Sequence, residues 1–328
     1  MKILVTGATS LLGAETARRL ASSGHDIRTF QRSPSRLGYD ECLGSVEDEN
    51  AVQLAVEGVD AVVHLAARVG VVGRWEDYHQ TNVIGTQNLF EAARASGVER
   101  FVHVSSPSVA HAGAALVGAG AAPADPEGAR GDYARSKALA EVGVLSAQSD
   151  TSVVAIRPHL VWGPGDTQLI GRIVERARSG RLVLIGSGTA LIDTTYITNA
   201  ADALVAAVDR GPELDGRALV VTNGQPRTIR EVFDRILDAA GMAPAGRSVP
   251  VGVARAGGLL VERYWERSGR DDDPPMTRFV AEQLSTAHWF DQRETQEALD
   301  WSPAVLLDDG FELLRAWFSE ATPSVERP

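Results

Sequence analysis

Met1-Lys2-Ile3-Leu4-Val5-Thr6-Gly7-Ala8-Thr9-Ser10-Leu11-Leu12-Gly13 opens the chain. Ile3 to Val5 is a short apolar, β-branched run closed at once by Thr6-Gly7, which reads as a buried strand. From Leu12 onward apolar and small residues fall at helical spacing (Leu12, Thr16/Ala17, Leu20), and Gly24 stops the helix. A strand, a glycine turn and a helix in this order make a phosphate-binding corner. Gly7 permits the tight turn, Gly13 lets the helix lie close on the sheet, and the first N–H groups of the helix can hold a pyrophosphate. An ordinary βα unit has the same outline, and the middle position of the usual three glycines is Ser10 here.

Strand-like runs recur at Asp26–Phe30, Val59–Leu65, Arg100–Val104, Ser152–Ile156 and Ala218–Val221, with helical patterns at Ala51–Val56, Val83–Ala95 and Tyr133–Ala147. This alternation predicts an α/β fold with a doubly wound parallel sheet. After Gly163-Pro164-Gly165 the rhythm loosens. We expect a nucleotide-binding domain over 1–165, with 190–222 returning to it, and a smaller, mostly helical substrate lobe over 166–189 and 223–328. Ala110–Arg130, rich in Ala, Gly and Pro, reads as a mobile loop and, lying just before Tyr133, as a lid. Asp271-Asp272-Asp273-Pro274-Pro275 reads as an acidic turn. The net charge of −11 argues against nucleic acid. A single cysteine, Cys42, fits a reducing compartment. No run spans a bilayer, the first strand leaves no room for a leader, and the expected location is cytoplasmic.

The chemistry is read from Tyr133-Ala-Arg-Ser-Lys137. Residues four apart share a helix face, so the ammonium sits beside the phenol, and a neighbouring cation lowers a tyrosine pKa toward working pH. That makes the tyrosine a usable general acid or base. A surface i,i+4 pair is the plain alternative. Of 32 basic residues only Lys2 and Lys137 are lysines, against five tyrosines. Chance would place a lysine at this spacing from a tyrosine about 0.03 of the time. Upstream, Arg100–Val104 runs into Ser105-Ser106-Pro107-Ser108-Val109, a strand ending in hydroxyls where an open α/β sheet binds its ligands. A serine there can polarise a carbonyl; taken alone, Ser-Ser after a strand is more often a turn or cap.

With these three elements in order, the chain resembles the extended short-chain dehydrogenase/reductases, a Rossmann-fold family, and the resemblance runs through nearly its whole length. It is carried by Thr6-Gly7-x5-Gly13, His64-Leu65-Ala66-Ala67, Tyr78-His-Gln-Thr-Asn82-Val-x-Gly85-Thr86, Ser105-Ser106, Tyr133/Lys137 and Arg157-Pro158. Ser105–Val109, Arg157–Asp166, Asp193–Ile197 and Pro275–Phe279 are similar to its 3β-hydroxysteroid-dehydrogenase-like branch, in particular to the β-keto-acid reductases of bacterial long-chain olefin biosynthesis. The resemblance implies reduction of the 3-keto group of long, two-chain β-keto acids. It implies Tyr133, Lys137 and Ser106 (Ser105 being the alternative) as catalytic, with Tyr133 and Lys137 also at the cofactor, where Lys137 holds the ribose, and with Asn82 supporting the lysine and a site water. It places Gly7, Thr9, Ser10, Leu11, Leu12 and Gly13 at the pyrophosphate, where Ser10 is expected to crowd. Ser45 and Val46 stand at the adenine, Ser45 where relatives often carry Asp. Leu65, Ala66 and Ala67 line the cofactor, and Pro158, Leu160 and Val161 the nicotinamide. A homodimer through the Tyr133 helix is implied by the same resemblance, and pathway logic adds association with the condensing and acid-activating enzymes.

Cofactor choice has its own argument. Gln31-Arg32-Ser33 follows the second strand, without the carboxylate that an NAD ribose takes. Arg32, with Arg36, offers a planar fork for a 2′-phosphate, so NADP(H) is expected, solvated loop arginines being the alternative. The seven histidines and Cys42 show no ligand spacing, and no metal is expected. His64 reads as structural; His159 reads as packing or as a substrate or cofactor contact. Trp75, Trp162, Tyr196, Trp265 and Trp289 are core or an acyl pocket. Val249–Leu260 reads as a buried helix, with an acyl-channel wall or docking on a membrane or partner as alternatives. A hydroxysteroid or other secondary-alcohol dehydrogenase shares every catalytic residue, and only a substrate panel separates it. A nucleotide-sugar epimerase or dehydratase keeps its cofactor bound through the cycle. A non-catalytic NADP-binding regulator commonly lacks the Tyr/Lys pair.

Overall fold

The structure is a computed structural model describing residues 1–70, 73–111, 113–268, 274 and 276–321. The opening run is strand β1 (Lys2–Thr6), followed by β2 (Asp26–Gln31), β3 (Asp40–Leu43), β4 (Ala61–His64), β5 (Arg100–Val104), β6 (Ser152–Pro158) and β7 (Arg217–Val221). They form one sheet in the order β7-β6-β5-β4-β1-β2-β3. Every pairing is parallel, from Lys2 opposite Asp26 to Arg217 opposite Val154. The order reverses beside β1, so the glycine corner opens at the switch point where such sheets bind ligands.

Successive strand residues face opposite layers. Ile3 and Val5 pack with Ala17 and Leu20 of helix Leu11–Ser22 and with Leu204 and Val208 of helix Ile197–Arg210. Leu4 faces the other layer, among Phe30, Val52, Leu89 and Phe101. Both faces are therefore covered, which is why these strands read as unbroken apolar runs. β3 was not evident in the sequence because it is the sheet edge: Asp40, Glu41 and Leu43 are exposed.

Beyond Pro158 the chain builds a second core, in which Trp162 stacks on Phe311 at 4.6 Å beside helices Ile170–Arg178, Ile229–Ala239 and Leu307–Ala321. Residues 190–222 divide. Leu191–Ile192 joins a four-stranded sheet with Arg227–Thr228, His288–Phe290 and Leu116–Ala119, while helix Ile197–Arg210 and β7 return to the large sheet.

Two expectations are corrected here. Ala110–Arg130 is not simply a loop: Leu116–Ala119 pairs in parallel with His288–Phe290, and Trp289 covers Gly118. Its backbone groups are satisfied by a partner distant in sequence, which composition does not reveal. Val249–Leu260 is helical within Val251–Ser268, but not buried, since Val253 and Leu260 are exposed. The acidic turn Asp271–Pro275 lies, apart from Pro274, outside the described residues. Among the described residues no helix is long and apolar enough to cross a membrane.

Candidate active site

Gly7 leaves β1 with φ +72°, the left-handed region that favours glycine. Gly13 sits where an added Cβ would lie 2.3 Å from the Gly7 carbonyl oxygen. Ser10 turns its hydroxyl inward, donating to the Gly7 carbonyl at 2.8 Å and accepting from the Gly13 N–H at 3.0 Å. It is thus the N-cap of helix Leu11–Ser22. The expected crowding is answered by this geometry, because the side chain belongs to the turn. The Leu11 and Leu12 N–H groups, which a first helical turn cannot satisfy internally, are left for an anion, and exposed Thr9 flanks them. A helix start that approaches the Gly7 turn this closely, with its first N–H groups open, fits a dinucleotide pyrophosphate.

The strand end of β4 is locked to this corner. The buried Thr6 hydroxyl accepts from the Leu65 and Ala66 N–H groups at 3.1 and 3.0 Å. With both lone pairs used, its proton goes to His64 Nδ1, 2.8 Å away. Burial holds the His64 pKa down at about 3, so the ring is neutral and its Nε2–H donates to Thr86 Oγ1 at 2.9 Å. His64 is a structural tie that fixes where Leu65, Ala66 and Ala67 run.

Tyr133 is the second residue of helix Asp132–Leu145, and the Ser106 hydroxyl nearby favours its ionised form. Ser106 caps the short helical turn Pro107–Ala110, its Oγ accepting from the Ser108 N–H at 3.3 Å with Ser108 Oγ 2.9 Å away. Ser105 is buried with its hydroxyl unpartnered, and the hydroxyl that acts on the Tyr133 phenol is that of Ser106. Lys137 lies one turn further along the helix and is buried, but its ammonium points to the end of β5. It donates to the Val104 carbonyl at 2.7 Å, with His103 Nε2 at 3.4 Å. The expected lowering of the tyrosine pKa is therefore corrected. Burial pushes Tyr133 up to about 12, the Ser106 hydroxyl pulling back and Tyr78 adding to the rise. Burial also brings Lys137 down to about 8, against the pull of Glu141. A desolvated ammonium seeks an acceptor, and the strand-end carbonyl supplies one.

Asn82 is tied into the scaffold of the site by its side-chain amide. It lies in the π-helical turn His79–Ile84, a form common at functional sites. Its Oδ1 accepts from the Arg68 N–H at 2.7 Å, and its Nδ2 donates to the Arg68 carbonyl at 3.0 Å and Ser136 Oγ at 2.9 Å. Ser136 Oγ in turn donates to the Tyr133 carbonyl at 2.8 Å. The amide joins the loop after β4 to the tyrosine helix.

Pro158 ends β6, and Leu160 follows with φ +44°, a costly conformation for a branched side chain that recurs at ligand sites. His159 is buried and neutral, its pKa lowered by burial to about 3; Nδ1 donates to the Asp193 carbonyl at 2.7 Å and the ring meets His288 edge-on at 5.1 Å. Val161 pairs with Thr195, and Trp162 and Tyr196 are core. Arg32 and Arg36 are exposed just past β2. Near them lies a carboxylate that sequence adjacency hides: Glu41 of β3 accepts from Gln31 Nε2 at 2.9 Å and from the Ser35 N–H and hydroxyl, each at 2.7 Å. Ser45 is half-buried after β3, and Val46 is buried against Gly85.

Sequence reasoning also missed the ion pair behind the site. Arg157 and Glu141 are both buried, with Nε to Oε2 at 3.0 Å and a second contact from Nη2 to Oε1; Arg157 Nη1 also donates to the Ala122 carbonyl at 2.7 Å. One guanidinium thus ties the tyrosine helix, β6 and the 110–130 segment together. The only signal in sequence was an arginine inside an apolar strand run.

Comparison with known proteins agrees with this geometry. The chain is 40% identical over 326 residues to 2-alkyl-3-oxoalkanoate reductase of Stenotrophomonas maltophilia (strain K279a), covering 96% of this chain and 99% of that protein. It is 34% identical to the protein of the same name from Shewanella oneidensis, covering 95% and 85%. Among solved structures, MoeE5 in complex with UDP-glucuronic acid and NAD superposes with a TM-score of 0.75 at 25% identity, covering 98% of this chain and all of that one. Residues 3–221 match the model of the NAD dependent epimerase/dehydratase family. A parallel sheet with its glycine corner at the switch point, and Tyr133 and Lys137 on one helix beside it, make this chain a member of the NAD-dependent epimerase/dehydratase family, the extended short-chain dehydrogenase/reductases.

Proposed function

We propose that the chain reduces the 3-keto group of 2-alkyl-3-oxoalkanoates to the 3-hydroxy acids with NADPH, in long-chain olefin synthesis by the β-lactone route. The observation that carries the reductase chemistry is Tyr133 and Lys137 one turn apart on helix Asp132–Leu145, with Ser106 beside the phenol at the carboxyl edge of the sheet. The substrate rests on likeness to two reductases of that name along nearly the whole chain.

When bound at this corner, NADPH would supply the hydride that the ketone carbon takes up. The protein supplies the proton. With its pKa near 12 Tyr133 holds its proton throughout the neutral range, and gives it up only to a stronger base, the alkoxide that develops at the former carbonyl oxygen. The Ser106 hydroxyl, already oriented by its bonds around Ser108, hydrogen-bonds the same oxygen and favours the charged state. Lys137, buried one helical turn away, holds the cofactor ribose in this reading. Gly7, Thr9, Ser10, Leu11, Leu12 and Gly13 hold the pyrophosphate, and Leu65–Ala67, Pro158, Leu160 and Val161 line the cofactor. Ser45 and Val46 stand at the adenine.

NADP(H) over NAD(H) is supported by Arg32 at the end of β2 and by Glu41 being committed to Gln31 and Ser35. Residues 166–189 and 223–328 form the substrate lobe in this reading. It includes a cytoplasmic homodimer working with the pathway's condensing and acid-activating enzymes. The test runs in reverse, because β-keto acids lose carbon dioxide. Purified protein is mixed with a long-chain 2-alkyl-3-hydroxy acid and NADP⁺ or NAD⁺, and reduced nicotinamide is followed. Reduction of NADP⁺ alone is expected; turnover of a sterol but not of this acid overturns the substrate assignment.

A further inference from the structure

Helix Val251–Ser268 turns an apolar face to solvent. Val253, Leu260 and Tyr264 are 61, 67 and 59% exposed, and with exposed Ala256 they fall at i, i+3, i+7 and i+11, one helix face. The opposite face is firmly seated. Ala254 is buried with Ile185 and Ala281, and a Cβ on Gly258 would lie 2.6 Å from the Arg278 nitrogen. Glu262 accepts from that Arg278 N–H at 2.7 Å. The helix is docked on the lobe with its outward face still apolar.

The charge around this face runs against the rest of the molecule. Ser248–Val249 leads into the helix and pairs with Leu184–Ile185, which follows helix Ile170–Arg178. The pairing joins segments 170–186 and 242–268, and carried through the acidic run that follows to 275 they hold nine arginines against three glutamates and three aspartates, a balance of +3 in a chain of −11. Arg178, Arg181, Arg247, Arg255 and Arg263 are exposed. Outside this corner the protein is strongly acidic and is repelled by an anionic surface, so the field turns this face toward one.

We propose that this corner is a peripheral docking surface for anionic phospholipid bilayers. Val253, Leu260 and Tyr264 enter the boundary between headgroups and acyl chains, and the arginines pair with lipid phosphates. Docking is reversible, since no helix among the described residues is fit to span the bilayer. Delivery of a two-chain acid from that surface rests on the function proposed above; the docking itself does not.

The test is flotation of the full chain with vesicles of phosphatidylcholine alone or with phosphatidylglycerol added, at low and high salt. Binding to the anionic vesicles is expected, about ten-fold weaker on neutral ones and weakened by salt. The double variant Val253→Glu/Leu260→Glu, at exposed positions that leave the melting temperature unchanged, loses about ten-fold or more. Arg255→Glu/Arg263→Glu loses the preference for anionic lipid. Absence of binding by the unaltered chain, or equal binding by both variants, overturns the proposal. So does a fall in sedimentation mass of the Glu variants without vesicle binding, which makes the face a protein contact. Because vesicle binding is read without turnover, its failure is distinct from failure of the reductase assay.

Discussion

Replacing Thr6 by Val removes one hydroxyl from the junction of β1 and β4 and keeps the side-chain shape. Three groups then lose their partner: the Leu65 and Ala66 N–H groups and His64 Nδ1, now 3.1, 3.0 and 2.8 Å from the Thr6 oxygen. The imidazole is fully buried, so its loss carries a desolvation penalty; the two amides lie in half-buried residues and recover part of theirs from water. At about 1 kcal/mol or somewhat more for each buried group left unpaired, the cost is about 2–4 kcal/mol. For a chain of this size that lowers the melting temperature by about 4–8 °C. Freeing Leu65–Ala67 also loosens a wall of the proposed cofactor site, so the dinucleotide Kd is expected to rise together with the loss of stability. Thr6→Ser keeps the hydroxyl and stays within about 1 kcal/mol of the parent. Urea titration and cofactor binding on both variants check the pair. A Thr6→Val protein as stable as Thr6→Ser refutes the three-way role of this oxygen.

Tyr133→Phe lowers turnover by about 10²–10⁴-fold and leaves cofactor binding within about two-fold, as steady-state kinetics and cofactor titration will show. Arg32→Ala raises the KM for NADP(H) by about ten-fold or more with NAD(H) unchanged; equal effects on both remove the arginine from the 2′-phosphate. Glu141→Gln leaves the Arg157 charge buried without its counter-ion and costs about 3–5 kcal/mol by denaturant unfolding, while Glu141→Leu/Arg157→Met together cost less. Reductive kcat/KM falls as pH rises through about 8, where Lys137 loses its charge. Its folded pKa lies below the unfolded value of 10.5, so the unfolded chain holds more protons between the two and stability rises with pH across that window. A kcat/KM profile level to pH 10 contradicts the role of the lysine.

Local sequence carried the strands that lie inside the sheet because both of their faces are buried, which makes Ile3–Val5 and Arg100–Val104 continuous apolar runs. It did not carry Asp40–Leu43, whose exposed acidic edge looks like a turn, nor Leu116–Ala119, whose partner His288–Phe290 lies far along the chain. The same division holds for the site. Tyr133 and Lys137 were legible because helical spacing fixes which side chains share a face. Spacing does not fix where a four-carbon stem delivers its ammonium, and here it is the Val104 carbonyl, beyond reach of any reading of the helix alone.

That displacement changes how the pair is understood. A lysine acting mainly on the phenol would leave Tyr133 with a depressed pKa, whereas the tyrosine stands near 12 and is a poor base at neutral pH. An acid held protonated suits reduction, in which the oxygen arriving as an alkoxide must be quenched; oxidation of an alcohol by the same site must first strip that proton away. The reverse reaction therefore accelerates with pH until Lys137 begins to lose its charge at about 8, while reduction stays level over the same range. Matched rate profiles in the two directions decide the point. Parallel curves would mean that Lys137 moves onto the phenol during turnover and that the tyrosine works as an ordinary base.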